Sequence, residues 1–351
     1  MTTYNIDQYC ADLEGRIDDA EETALFASWR EFTTGGFSGD LFRPSRGRTW
    51  APAVPWPRAY VNDALDNFDA MIIQQLAACS AALDAGSGSI LAVRANYGTP
   101  ILPSLFGARL HRMEYEQDTL PCSYALSRED LVRAIDAGVP DLRGGLGAAV
   151  FDAGIAYRKL FARYPLIEKH VHIYHPDTQG PMDVCEMLRG SEIFEDVFDD
   201  PAFVHALLDL VTQTYIAFLR EWYAIVPPLP GGVSVHWGMV HRGAVLLRDD
   251  SAMNFSGAMY EEFIMPYEQR ILDEFGGGAI HFCGRGDHYI NAASSMRGIY
   301  AFNLSQPEYN NLETICRATV DQGIQLIGFP RGAAETLVAA GRDLHGNVHV
   351  A

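Results

Sequence analysis

The sequence is short of positive charge. Against 45 Asp+Glu stand only 26 Lys+Arg, for a formal net charge of −19 over 351 residues and a sequence pI near 4.9. A field of that sign attracts no phosphate backbone, so nucleic acid and anionic membrane surfaces are not expected partners. Cysteine is also sparse: Cys10, Cys79, Cys122, Cys185, Cys283 and Cys316 are scattered, without the density of a disulfide scaffold. A reducing cytoplasm is the simplest compartment for them. No run of about 18 apolar residues stands out, so no membrane span is expected. The amino terminus lacks the basic start and apolar centre of a secretory signal, and no repeat or low-complexity linker divides the chain.

What the chain has is enough apolar residue, 48% of the total, to fill a large core. One domain spanning 1–351 is expected. Within it, residues 1–60 read as an irregular covering segment, Gly/Pro-rich between Thr33 and Pro57, and residues 61–351 as the main body. A helix is predicted where Leu65, Phe68, Ile72, Leu76, Cys79 and Leu83 step by three and four. Another follows the Asp200-Pro201 cap, with Val204, Leu207, Leu208, Val211, Tyr215, Phe218, Leu219 and Trp222 on one stripe. Short strands are predicted at 90–94, 170–174, 233–236, 244–247, 279–282, 299–304, 324–329 and 347–350. After residue 231 they alternate with helices through Gly-marked turns. Such βα repetition calls for a parallel sheet. Eight strands and no Gly-rich dinucleotide fingerprint favour a closed (β/α)8 TIM barrel over an open doubly wound sheet.

In a barrel the residues just beyond each strand line the mouth. Here they include Arg94, Asn96 and Tyr97; Asp177 and Gln179; His236 and His241; Asp249 and Asp250; His281, Cys283, Arg285, Asp287 and His288; then Asn303, Gln306 and Glu308. Singly these are ordinary loop residues. Together they place His, Asp and Arg at the ends of strongly apolar strands. Arg94 suits bidentate binding of a substrate carboxylate or phosphate, or an ordinary salt bridge.

The sharpest feature is Ile280-His281-Phe282-Cys283-Gly284. Residues i and i+2 of a strand share a face, so His281 and Cys283 would present imidazole and thiolate together, the pair that zinc favours. A core cysteine beside a hydrogen-bonded histidine is the plainer alternative. Asp249-Asp250 reads as an acid/base pair or as the anionic cluster before the next helix. Cys79 and Cys316 lie on apolar helix faces and read as core filler.

These residues bring out a resemblance to the uroporphyrinogen decarboxylase superfamily. Asp249 to Tyr267 resembles its segment from an acidic strand end into a helix with Phe and Pro-Tyr, followed by a strand ending His-x-Cys-Gly at 281–284. Gln179 to Gly190 resembles its Gly-x-Pro helix start. The similarity extends over about residues 165–330 and implies a (β/α)8 barrel. One branch of that superfamily decarboxylates a tetrapyrrole without a cofactor, using an N-terminal Arg-Gln-Ala-Gly-Arg region; Trp29-Arg30 and Arg43 to Arg46 do not match it. The other branch comprises zinc-dependent methyltransferases that move methyl groups between a corrinoid protein and a thiol.

The resemblance to that second branch implies zinc held by His281 and Cys283. The family's distant third cysteine is absent here, and Glu308 or His349 is the expected substitute. Methyl transfer with a corrinoid protein or small methyl donor is therefore the first expectation, with Asp250, His281 and Cys283 as the catalytic group. Arg94, Tyr97, Asp177, Gln179, His236, His241, Arg285, Asp287, His288 and Gln306 are the expected substrate contacts. The alternatives are a decarboxylase of another polycarboxylate, with Arg94, Arg285 and His288 gripping carboxylates, and a non-catalytic barrel binding a tetrapyrrole or corrinoid. A second copy of the chain is a further partner to test.

Overall fold

The structure, a computed structural model, describes residues 4–350. Its strands are β1 (Ala92–Val93), β2 (Leu110–His111), β3 (Cys122–Ser123), β4 (His172–Ile173), β5 (Val233–His236), β6 (Met239–Arg242), β7 (Val245–Arg248), β8 (Gly278–Phe282), β9 (Ile299–Leu304), β10 (Gln325–Phe329) and β11 (Val348–Val350). Five of them form one parallel sheet in the order β11-β10-β9-β8-β7. Helices carry each return: Gly257–Phe263 with Met265–Phe275, then Ile290–Ser295, Leu312–Ala318 and Arg331–Ala339. β1 and β4 make a separate parallel pair, and β2 with β3 a short antiparallel one.

Among the described residues the ladder does not close into the expected eight-stranded ring. Beyond β7 the contact with the segment after β4 is made piecemeal. His175 Nε2 accepts the Leu246 N–H at 3.1 Å, and the Gly180 N–H donates to the Arg248 carbonyl at 2.8 Å. Pro176 and Pro181 flank this stretch, and neither has an N–H to donate to a ladder. Gly180 is required at its position, since a Cβ there would lie 2.5 Å from the Arg248 carbonyl oxygen. At the other edge, β11 meets only an isolated parallel bridge from Phe42.

The largest departure from expectation is the pair β5–β6. Instead of contributing a parallel strand, Val233–His236 folds back as an antiparallel hairpin through Trp237-Gly238. Both turn residues have positive φ, 51° and 77°, as a tight two-residue hairpin turn demands. β6 packs against β8, β9 and β10 on the inner face of the sheet. Small side chains at Ala279 and Ala301 leave room for Val233, Val235 and Val240 there. His236 and His241 are consequently buried in the interior, 1% and 0% exposed, rather than open at a mouth.

Residues 1–60 are also more regular than expected. Ile6–Glu14 and Asp19–Thr33 are helices, the second capped by Asp18, whose side chain accepts from the Ala20 and Glu21 N–H groups. Leu25, Trp29 and Phe32 form its buried stripe, and Phe32 stacks on Phe42 at 4.6 Å. The predicted helix after Asp200 runs Pro201–Ile225, with the Asp200 side chain accepting from Phe203 N–H. By length and composition alone this helix could cross a membrane, contrary to the reading of apolar runs, and 61% of its most apolar window is buried inside the fold. Cys79 and Cys316 are core residues, 2% and 1% exposed.

Candidate metal centre

The inner face of the sheet changes character along its strands. Leu246, Ala279, Ala301 and Ile327 line the part packed on the hairpin. One pleat further on, at the carboxyl ends, come Arg248, His281 and Asn303, directly paired across β7, β8 and β9. Carboxyl ends of parallel strands are where such sheets place ligands.

Here Asp250, His281 and Cys283 converge, with one ligand atom from each lying within 4.8 Å of the others. Cys283 Sγ is 3.4 Å and Asp250 Oδ1 3.6 Å from His281 Nε2. A tetrahedral zinc with ligands near 2.0–2.3 Å separates its donors by about 3.3–3.8 Å, so this N, S, O set fits that ion. His281 is 14% exposed and Asp250 47%, leaving one side of the trio facing solvent.

Each member is held from behind. Asn303 Nδ2 donates to the Ile327 carbonyl at 2.7 Å, which turns its Oδ1 toward His281 Nδ1 at 2.6 Å. Nδ1 therefore carries the proton and Nε2 keeps its lone pair for a metal. The Cys283 N–H donates to Asp250 Oδ1 at 3.0 Å, and the Ser305 hydroxyl lies 3.1 Å from Cys283 Sγ. Burial pushes the Cys283 thiol up; Ser305 opposes this and the Asp250 carboxylate adds to it. A cation is what such a thiol needs to ionise at neutral pH. Asp183 fixes the turn carrying Asp250: its carboxylate accepts the Asp250 N–H at 3.0 Å, the Ser251 N–H at 2.8 Å and the Ser251 hydroxyl.

The expected third ligands are not in this group. Glu308 is exposed on the short turn Pro307–Tyr309. His349 sits on β11, three strand spacings or about 14 Å from β8. Its Nδ1 accepts the Gly328 N–H at 2.9 Å, and its ring packs 4.4 Å from Trp29. Asp250 stands where they were expected.

The expected substrate contacts divide into two sets. Arg285, Asp287, His288 and Gln306 organise the loop after β8. Arg285 pairs with Asp287 at 2.7 Å, Asp287 accepts the Asn311 N–H, His288 Nε2 donates to the Phe255 carbonyl at 2.7 Å, and Gln306 accepts the Gly284 N–H. Arg94, Asp177, Gln179, His236 and His241 lie inside. Arg94 and Arg248 both face Asp177, at 3.1 and 2.8 Å, and Gln179 donates to it at 2.5 Å. Tyr97 is buried, with its phenol pushed up to about 12 by that burial.

His241 Nδ1 donates to the Arg242 carbonyl, so its Nε2 must accept from His236 Nδ1 at 2.8 Å. Burial holds His241 down to about 4 and His175 to about 3. These imidazoles are neutral packing elements. Sequence reasoning passed over Arg248 and Asp183. The strand alternation that aligns Arg248 with Leu246, and the aspartate in the first turn after Gly180-Pro181, were the available signals.

No protein-family model and no curated sequence matches the chain. Among solved structures it is similar to a methyltransferase from Methanosarcina mazei. That likeness has a TM-score of 0.62 and 15% identity, and covers 94% of this chain and 91% of that one. At such identity the likeness speaks for the fold.

Proposed function

We propose that the chain is a zinc-dependent methyltransferase, taking its methyl group from a corrinoid protein or a small methyl donor, on a modified (β/α)8 barrel. The observation that carries this reading is the convergence of Asp250, His281 and Cys283, with His281 already committed at Nδ1. The fold shared with a methyltransferase supports it. Zinc held there would keep a substrate thiol ionised at neutral pH, ready to accept a methyl group. The chain's own contribution is placement. Asp183 and the Cys283 N–H fix the Asp250 carboxylate, Asn303 fixes the imidazole, Ser305 steadies the Cys283 sulfur, and the exposed side of Asp250 leaves an approach for substrate.

The decarboxylase alternative loses two of its three expected carboxylate grips, because Arg285 and His288 are engaged in organising their own loop.

Elemental analysis of protein purified without chelator tests the proposal. Close to one zinc per chain is expected, with Cys283→Ser losing both the metal and methyl transfer. Wild-type protein without metal, recovering no methyl transfer when zinc is added, would remove this reading and promote decarboxylation.

A further inference from the structure

Arg248 is the least satisfied charged residue near the centre. Its side chain is 3% exposed, and Nη2 has no acceptor at all. Nε lies 2.8 Å from Asp177 Oδ1 without an aligned hydrogen bond, so that contact is charge pairing only. Nη1 reaches the Leu246 carbonyl at a long 3.4 Å. A buried guanidinium with N–H groups unmade is costly unless something outside the chain completes it.

Charge points the same way. Arg94 and Arg248 share the single carboxylate of Asp177, and the buried His175 and His236 beside them are held neutral by burial, so the pair of guanidiniums outnumbers its carboxylate by one positive charge. The Trp237 ring covers Arg248, 5.0 Å from its guanidinium carbon, and meets His281 edge-on at 5.1 Å. Trp237 holds a φ of +51°, where a bulky side chain is strained and glycine or asparagine is at ease. It also helps line a cavity of about 430 Å³ with Gln75 and Tyr174. Arg248 and His281 are register partners on adjacent strands.

We propose that Arg248, backed by Arg94 and walled by Trp237, is an oxyanion-binding subsite for the substrate whose reacting end meets the Asp250–His281–Cys283 centre. The substrate thus carries a carboxylate or phosphate group. This rests on the centre being the reactive one, but binding at the subsite does not require metal.

The test is calorimetric titration of the full chain with inorganic phosphate and, separately, acetate. Wild-type protein and Cys283→Ser should bind one of these anions equally well. Arg248→Gln should weaken binding about tenfold or more, and Arg94→Gln, which leaves one guanidinium against one carboxylate, should weaken it similarly. Asp177→Asn should tighten it, a gain that misfolding cannot produce. The preferred anion separates a phosphorylated from a carboxylated substrate. Binding that survives Arg248→Gln unchanged, or that vanishes in Cys283→Ser, would overturn the subsite, as would no binding of either anion by the wild type. Loss of zinc with phosphate binding intact would overturn only the metal reading.

Discussion

Asn303 and His281 meet on neighbouring strands with Oδ1 and Nδ1 2.6 Å apart, and the amide cannot turn over without losing its bond to the Ile327 carbonyl. The backbone makes room for this. Gly328 has a φ of 63°, and a Cβ there would lie 2.7 Å from Asn303 Nδ2. Histidine orientation at the centre is therefore set two strands away.

Removing that support should cost metal affinity before it costs fold. Asn303→Ala is expected to weaken zinc binding about 10–100-fold, measured by competition with a chromophoric chelator. Unchanged affinity would show that Trp237 alone orients the imidazole.

Asp250→Asn separates ligation from stability. The amide oxygen can still accept the Cys283 N–H, and the side chain is 47% exposed. The melting temperature should stay within a few degrees, since about 1 kcal/mol or less is lost. Zinc stoichiometry should fall. A large drop in melting temperature with metal retained would assign Asp250 a structural role instead.

Acid should destabilise the chain through its buried histidines. In the fold His175 and His349 are held down to about 3 and His241 to about 4, largely by burial. Unfolded, each returns to about 6.5 and binds the extra proton. The stability gained by keeping them neutral is complete above that value and is lost as pH falls toward 4, by up to about 1.4 kcal/mol per unit per histidine. Denaturant unfolding between pH 7 and 4 should show this slope, and His349→Asn should flatten it. An equal slope in the variant would place the acid sensitivity elsewhere.

Residues 1–60 are expected to unfold together with the rest. Trp29 packs on His349 and its Nε1 donates to the Gly88 carbonyl at 2.9 Å, the Phe42 N–H donates to the Val348 carbonyl at 2.9 Å, and Arg16 donates to the Ser80 hydroxyl at 2.6 Å. Calorimetry should give a single transition. A folded fragment of residues 1–60 released by limited proteolysis would defeat this.

Local chemistry was legible in the sequence wherever it depended on neighbours along the chain. The Asp200 cap and the shared face of His281 and Cys283 follow from spacing alone, and both are present. Long-range outcomes were not. Whether Val233–His236 joins a ring or folds back depends on the small residues Ala279 and Ala301 on distant strands. The choice of Asp250 over Glu308 or His349 depends on which strand ends are neighbours. Arg248 was overlooked because an inward-facing arginine looks, in one dimension, like any charged residue at a strand end.

The hairpin inside the sheet has a consequence for how this chain tolerates change. A barrel filled by interleaved side chains absorbs a substitution by local repacking, but here the stiff β-branched Val233, Val235 and Val240 of the hairpin pack over Ala279 and Ala301, with little to yield. An added methyl group at either alanine would lift the whole ribbon and move Trp237 at its tip, and with it the wall shared by Arg248 and His281. Positions far below the reactive groups, with no chemistry of their own, thus become adjusting screws for the centre. Laboratory evolution for a new substrate should gather changes there as readily as beside Asp250, His281 and Cys283.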